Sequence, residues 1–137
     1  MLSGPDPTGT PVLSVIVLVV DDAASSRLLV TKTLNSLGFT TIVASDGESA
    51  LRAVRKFNPN AIVTDLEMPG MDGEQMIEVL RNSEHFGLRH LPVIVCSSKV
   101  DVDTLAKLAV LHVDAVVPKP IDVKELTKAA LRLFDTV

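Results

Sequence analysis

One cysteine, no apolar run near the ~20 residues that cross a bilayer, and no concentration of basic charge: these three shortages narrow the reading of this 137-residue chain first. A single cysteine excludes a disulfide framework, so the fold must rest on a hydrophobic core. A chain of this length buries roughly two-thirds of its unfolded surface, enough for one such core. Cys96 lies in the apolar run Val93 to Cys96 and reads as a small buried hydrophobe rather than a reactive thiol. The longest greasy segment, Val15 to Val20, is bounded by Ser14 and two aspartates, and no basic stretch precedes it as in a signal peptide. No membrane association is expected, and a cytoplasmic location is the default. The net charge is −4, the pI is near 5.3, and the 13 basic residues are scattered, so nucleic acid is not an expected partner.

The residues present in abundance are apolar: 47% are hydrophobic and the mean hydropathy is +0.36. Residues 1–11 depart from this, with three prolines and two glycines, and are expected to be a disordered tail or linker. The expected domain is 12–137. Within it, Val15 to Val20, Thr41 to Ala44, Ala61 to Val63, Val93 to Cys96 and Ala115 to Val117 are short runs rich in Val and Ile, each suited to a buried strand. Segments of helical periodicity separate them. Val30, Leu34 and Leu37 mark the first, with Ser25 or Ser26 as N-cap and Gly38 as the stop. Ala50, Leu51, Val54 and Phe57 mark the second, Met76, Ile77 and Leu80 the third, and Leu105, Leu108 and Ala109 the fourth. In the last, Asp122 can cap, Glu125 stands where a capping box places its acid, and Leu126, Ala130, Leu133 and Phe134 share a face. The pattern predicts a doubly wound (βα)5 α/β fold with a parallel sheet covered on both faces.

Ligands of such sheets bind at the carboxyl ends of the strands, so the residues immediately after each run matter most. The first run ends in Asp21-Asp22, the third in Asp65, the fourth in Ser97-Ser98 and the fifth in Pro118-Lys119-Pro120. Three carboxylates, a hydroxyl and an ammonium thus converge on one rim. Carboxylates from separate strands suit Mg²⁺, a hard ion that accepts a few protein oxygens and keeps room for phosphate oxygens. Lys119 alone would leave the cluster negative, which is a physical reason to expect a divalent cation. Phosphoryl transfer needs a nucleophile in line and fixed positive charge around the equatorial oxygens: Asp65 can be the nucleophile, Lys119 part of the charge, and Ser97 a donor to a phosphoryl oxygen. Taken singly, Asp21 or Asp22 could cap a helix, Asp65 could be a turn residue, and Lys119 could be solvated. Four strand ends presenting these groups together make unrelated caps a poor explanation.

Val19 to Asp22, the run Val63 to Gly73 (VTDLEMPGMDG), Pro92 to Ser98 and Lys119-Pro120 resemble the receiver domain of two-component response regulators, over about Val15 to Phe134. The resemblance implies a flavodoxin-like three-layer sandwich, its five parallel strands in order 2-1-3-4-5. It also implies a phosphoacceptor module that takes a phosphoryl group from a histidine kinase or histidine phosphotransfer protein onto Asp65 and switches partner binding. Such a module is no enzyme in the ordinary sense, since it catalyses only its own phosphorylation and dephosphorylation. By the same resemblance Asp21, Asp22, Asp65 and the backbone carbonyl of Glu67 would hold Mg²⁺ or Mn²⁺. Ser97 would be the switch hydroxyl, Lys119 would contact the acyl phosphate, and the Lys119-Pro120 bond would be cis. A homodimer through the fourth and fifth helices is a further implied possibility. Only Asp135, Thr136 and Val137 come after the last predicted helix, so no effector segment is expected there.

Departures from the family pattern are local. Val116 stands where family members usually carry an aromatic, three positions before the lysine, and a valine cannot report switching by ring rotation. Ser98 occupies a position often held by alanine. Glu67 and Lys99 stand at positions that modulate hydrolysis in the family, and their opposite charges predict a salt bridge across the mouth of the site. His85, His90 and His112 lack metal spacing and read as surface or packing residues; Met68, Met71 and Met76 read as filler. Three competing readings remain: an adaptor that is never phosphorylated, a phosphatase resembling the haloacid dehalogenases through Asp65 and Glu67, and a flavodoxin-like flavin carrier. The last is disfavoured because acids, not a phosphate-binding loop, come after the first strand.

Overall fold

The computed structural model describes residues 15–134. The expected tail at 1–11, and the outermost residues of the expected domain, lie outside the described residues. The elements run β1 (Ile16–Val20), α1 (Ala24–Ser36), β2 (Thr40–Ala44), α2 (Gly47–Phe57), β3 (Ala61–Thr64), α3 (Gly73–Arg81), α4 (Phe86–Arg89), β4 (Val93–Ser97), α5 (Val102–Val110), β5 (Ala115–Pro118) and α6 (Val123–Leu133). The five strands form one parallel sheet in the order β2-β1-β3-β4-β5, as expected.

Successive side chains of a strand point to opposite faces, so each central strand feeds two cores. Leu18, Val20, Ile62, Val93 and Val95 pack on one face with Leu51, Val54, Met76, Ile77, Leu80 and Leu108 from α2, α3 and α5. Val17, Val19, Val63, Ile94 and Cys96 pack on the other with Val30 and Leu34 of α1 and Leu126 and Ala130 of α6. This explains why the strands read as unbroken apolar runs: both of their faces are buried. Cys96 is buried, and desolvation pushes its thiol up to about 12, so it remains protonated.

The helices depart from expectation at several points. Ser25 and Ser26 lie inside the first turn of α1; the N-cap is Ala23, which offers no side-chain cap. The turn closes earlier because Asp21 Oδ1 already accepts from the Ala23 amide at 2.9 Å. Gly38, at φ +95°, ends the α1 segment as expected, in a conformation that costs glycine nothing. Phe57 is 46% exposed rather than part of the α2 core face. Asp122 does cap α6, accepting from Lys124 N, but the reciprocal capping box forms at α3, where Asp72 and Gln75 satisfy each other's amides. The single turn α4 has no signature in the sequence, being too short for periodicity to reveal.

The largest correction concerns α5. Of the predicted stripe only Leu108 is buried; its companion on the inner face is Thr104, while Leu105 and Ala109 face solvent. Val102, Leu105, Ala106, Ala109 and Val110 recur at i, i+3, i+4, i+7 and i+8, a continuous apolar stripe on the outer face, with Val102 81% and Val110 75% exposed. The helix is apolar on both sides, and periodicity alone selects the wrong one.

At the amino ends of β4 and β5, Arg81 acts as a clasp. Its Nε donates to Leu111 O at 2.7 Å, one terminal nitrogen to Leu91 O and Arg89 O, and the other to His112 O. Burial pulls this guanidinium's pKa down, and the nearby Asp114 opposes that. His85, His90 and His112 are all exposed, in keeping with surface roles.

Candidate functional site

Strand register assembles the rim. In the β1–β3 pairing Val20 lies beside Thr64, so the next residues, Asp21 and Asp65, emerge side by side, and the Asp65 amide donates to Val20 O at 2.9 Å. In the β4–β5 pairing Ser97 lies beside Pro118, and the Lys119 amide donates to Ser97 O at 2.9 Å. Residues far apart in sequence therefore meet because of sheet order and register, not because of any local turn.

The geometry is tight. Lys119 Nζ lies 2.9 Å from Asp21 Oδ2 and 3.1 Å from Asp65 Oδ2, and these are the ion pairs found among the described residues. Burial alone would lower the Lys119 pKa, but hydrogen bonds to both carboxylates outweigh it and hold it above the usual lysine range. Asp21 and Asp65 are buried, and Asp22 is exposed at the rim. One carboxylate oxygen from each of the three lies within 4.8 Å of the others. The Lys119-Pro120 bond is cis.

The remaining oxygens show how each acid is aimed. Asp65 Oδ1 accepts from its neighbour Leu66 N at 2.7 Å, and Asp21 Oδ1 is held by Ala23 N, so each directs its Oδ2 toward Lys119. Thr64, buried beneath, donates its hydroxyl to Asp65 O at 2.7 Å. Gly73 opens α3 against the same carbonyl: a Cβ there would fall 2.1 Å from Asp65 O, so only glycine permits the approach. Ser97 is fully buried, and its hydroxyl accepts from Lys99 N at 2.9 Å.

The predicted Glu67–Lys99 salt bridge does not form among the described residues. Ser98 reaches Glu67 instead, its hydroxyl 3.4 Å from Oε1, because the Lys99 backbone is turned back onto Ser97. Both Glu67 and Lys99 still line a cavity of about 370 Å³ over the rim, together with Asp22, Met68 and Thr104. Val116 is half-buried on β5 and packs against the core.

One residue without a sequence-derived role contacts the site. Arg27 of α1 donates a terminal N–H to Asp21 O at 2.7 Å. The acceptor is backbone, so no spacing of residue types could have revealed the contact.

Three clustered carboxylates with one ammonium between them form a hard-oxygen donor set. Against known families, the response regulator receiver domain matches residues 17–131 of the chain. The chain belongs to that family. This receiver is 34% identical over 122 residues to the chemotaxis protein CheY of Pseudomonas aeruginosa, covering 88% of this chain and 97% of that protein. It is 37% identical to the DNA-binding response regulator MtrA of Mycolicibacterium paratuberculosis and 33% to the regulator of RpoS of Escherichia coli, spanning 52% and 35% of their lengths. Among solved structures, the response regulator receiver protein from Pseudomonas putida superposes with a TM-score of 0.79 at 28% identity, covering 88% of this chain and 98% of that one. CheY4 of Vibrio cholerae shares the fold at a TM-score of 0.80, covering 89% and 100%. The receiver is therefore a signalling domain of the two-component type. No helix among its described residues is long and apolar enough to cross a membrane.

Proposed function

We propose that Asp65 is the phosphoryl acceptor, working with Lys119, Ser97 and a Mg²⁺ or Mn²⁺ ion held by Asp21, Asp22, Asp65 and the Glu67 carbonyl. The observation that carries this reading is the Lys119 ammonium bridging Asp21 and Asp65 in a trio of carboxylates it cannot neutralise alone. A bound divalent ion supplies the missing positive charge and withdraws electrons from the phosphoryl oxygens.

The protein's own groups divide the remaining work. An Asp65 carboxylate oxygen attacks phosphorus in a phosphohistidine; the P–O bond forms as the P–N bond breaks, and the imidazole nitrogen leaves with the electron pair and takes up a proton. Lys119, already within hydrogen-bond reach of Asp65, neutralises charge on the incoming group. The Ser97 hydroxyl has one donor and two acceptor sites, so it can keep the Lys99 N–H and still donate to a phosphoryl oxygen. The donor is a histidine kinase or histidine phosphotransfer protein in the cytoplasm, and the chain turns over no other substrate. Self-association through the predicted fourth and fifth helices, here α5 and α6, is favoured by the exposed α5 stripe and is checked by sedimentation. Contact with protein rather than nucleic acid suits the negative net charge.

Beryllofluoride with Mg²⁺, an acyl-phosphate mimic, tests the reading. The chain should bind it in fluorine NMR only when Mg²⁺ is present, and Asp65→Asn should abolish both that signal and phosphate incorporation while leaving the fold intact. Absence of binding by the unaltered chain would favour an adaptor that is never phosphorylated.

A further inference from the structure

The turn between β1 and α1 carries two of the three clustered acids, yet α1 has no side-chain cap to hold it. Asp21 Oδ1 accepts from Ala23 N, the Arg27 amide donates to Ala23 O at 3.0 Å, and the Arg27 guanidinium reaches back over the first helical turn to Asp21 O at 2.7 Å. The backbone on both sides of Asp22 is thereby pinned. Asp22 itself is exposed, so the aim of its carboxylate depends on that backbone. Arg27 is half-buried and bonds the backbone carbonyl of Asp21, and neither ion pair found among the described residues involves it.

We propose that Arg27 is a positioning residue for the divalent-metal site: it fixes the carbonyl of Asp21 and so directs Asp22 at the ion, acting through geometry rather than charge. The inference rests on the metal reading given above. Its sign separates the two roles. A cation beside a divalent ion repels it, so if Arg27 acted as a charge, removing it would tighten Mg²⁺ binding. If it holds the turn, removing it loosens the turn and weakens binding, as loss of outer-sphere partners does elsewhere by about tenfold or more.

The chain lacks tryptophan and tyrosine, so intrinsic fluorescence is a poor probe, and isothermal titration of Mg²⁺ is the direct measurement. Wild type, Arg27→Gln, Arg27→Lys and Asp22→Asn are compared, with melting followed by circular dichroism in chelator. Arg27→Gln should raise the Mg²⁺ dissociation constant about tenfold. Arg27→Lys, which keeps the charge and can reach with one donor, should recover part of the loss. A structural role alone would lower the melting temperature without moving the affinity of the folded variant. Unchanged or tighter binding by Arg27→Gln overturns the proposal. Should Arg27→Gln fail to fold, Arg27→Met, which keeps the aliphatic stem and donates nothing, decides, because unchanged or tighter Mg²⁺ binding by that variant overturns it as well. Wild-type chain that binds no Mg²⁺, or binds it equally after Asp22→Asn, overturns the metal reading and this inference with it; normal wild-type binding with an indifferent Arg27 overturns this inference alone.

Discussion

The two ends of the sheet hold charge in opposite ways. At the amino ends of β4 and β5, the Arg81 guanidinium meets four backbone carbonyls, which leaves it hydrogen-bonded on all three nitrogens. At the carboxyl ends, one ammonium pairs with two of three clustered carboxylates and cannot balance the three. A polar group whose partners are all neutral and in place serves the fold; a cluster with excess charge of one sign is suited to receiving a cation. Substitutions should therefore separate stability from chemistry according to which end they touch.

Arg81→Met should give the largest stability loss, about 3 kcal/mol in denaturant melts, because four carbonyls lose their shared donor. Beryllofluoride binding by the folded fraction should be unchanged; a parallel loss of binding would erase the contrast between the ends. Lys119→Met should do the reverse: phosphorylation slower by about a hundredfold, as when one charge-stabilising donor is removed from a transition state. A rate within about tenfold of wild type would show that the ammonium is structural.

Between the ends lies Cys96, whose thiol pKa is pushed up to about 12 in the fold against 9.0 for an unperturbed thiol. Above pH 9.0 the unfolded thiol releases its proton while the buried one keeps it, so stability falls as pH rises toward 12. Wild type should lose about 1.4 kcal/mol per pH unit more than Cys96→Ala across that window, the lysine titrations being common to both. Parallel stability curves would show that the thiol is not desolvated. The smallest effect is expected at Ser98, whose long hydrogen bond to exposed Glu67 is worth at most about 1 kcal/mol. Ser98→Ala should shorten the acyl-phosphate lifetime by no more than about fivefold, and a longer lifetime would show that the contact does not shield the mouth.

Much of the rim is legible in residue types because the rule that places it is general: in a parallel sheet, the residues just after each apolar run lie at the carboxyl ends. Asp21, Asp22, Asp65, Ser97 and Lys119 are all brought together there. The expected Glu67–Lys99 bridge fails because it relies on charge without backbone direction; the Lys99 amide is committed to Ser97, and Ser98 takes its place.

The sequence by itself determined the alternation of strands and helices, the doubly wound class and the residue types at the strand ends, since apolar periodicity and residue type are local properties. Tertiary structure decided three things that pattern could not. It turned the apolar stripe of α5 outward, because a helix apolar on two faces has no preferred side until the sheet covers one. It placed Arg27 and Arg81 on backbone carbonyls, which carry no side-chain signature. And it brought Lys119 within 3.1 Å of Asp65 across 54 residues, a distance that only strand order and register can set.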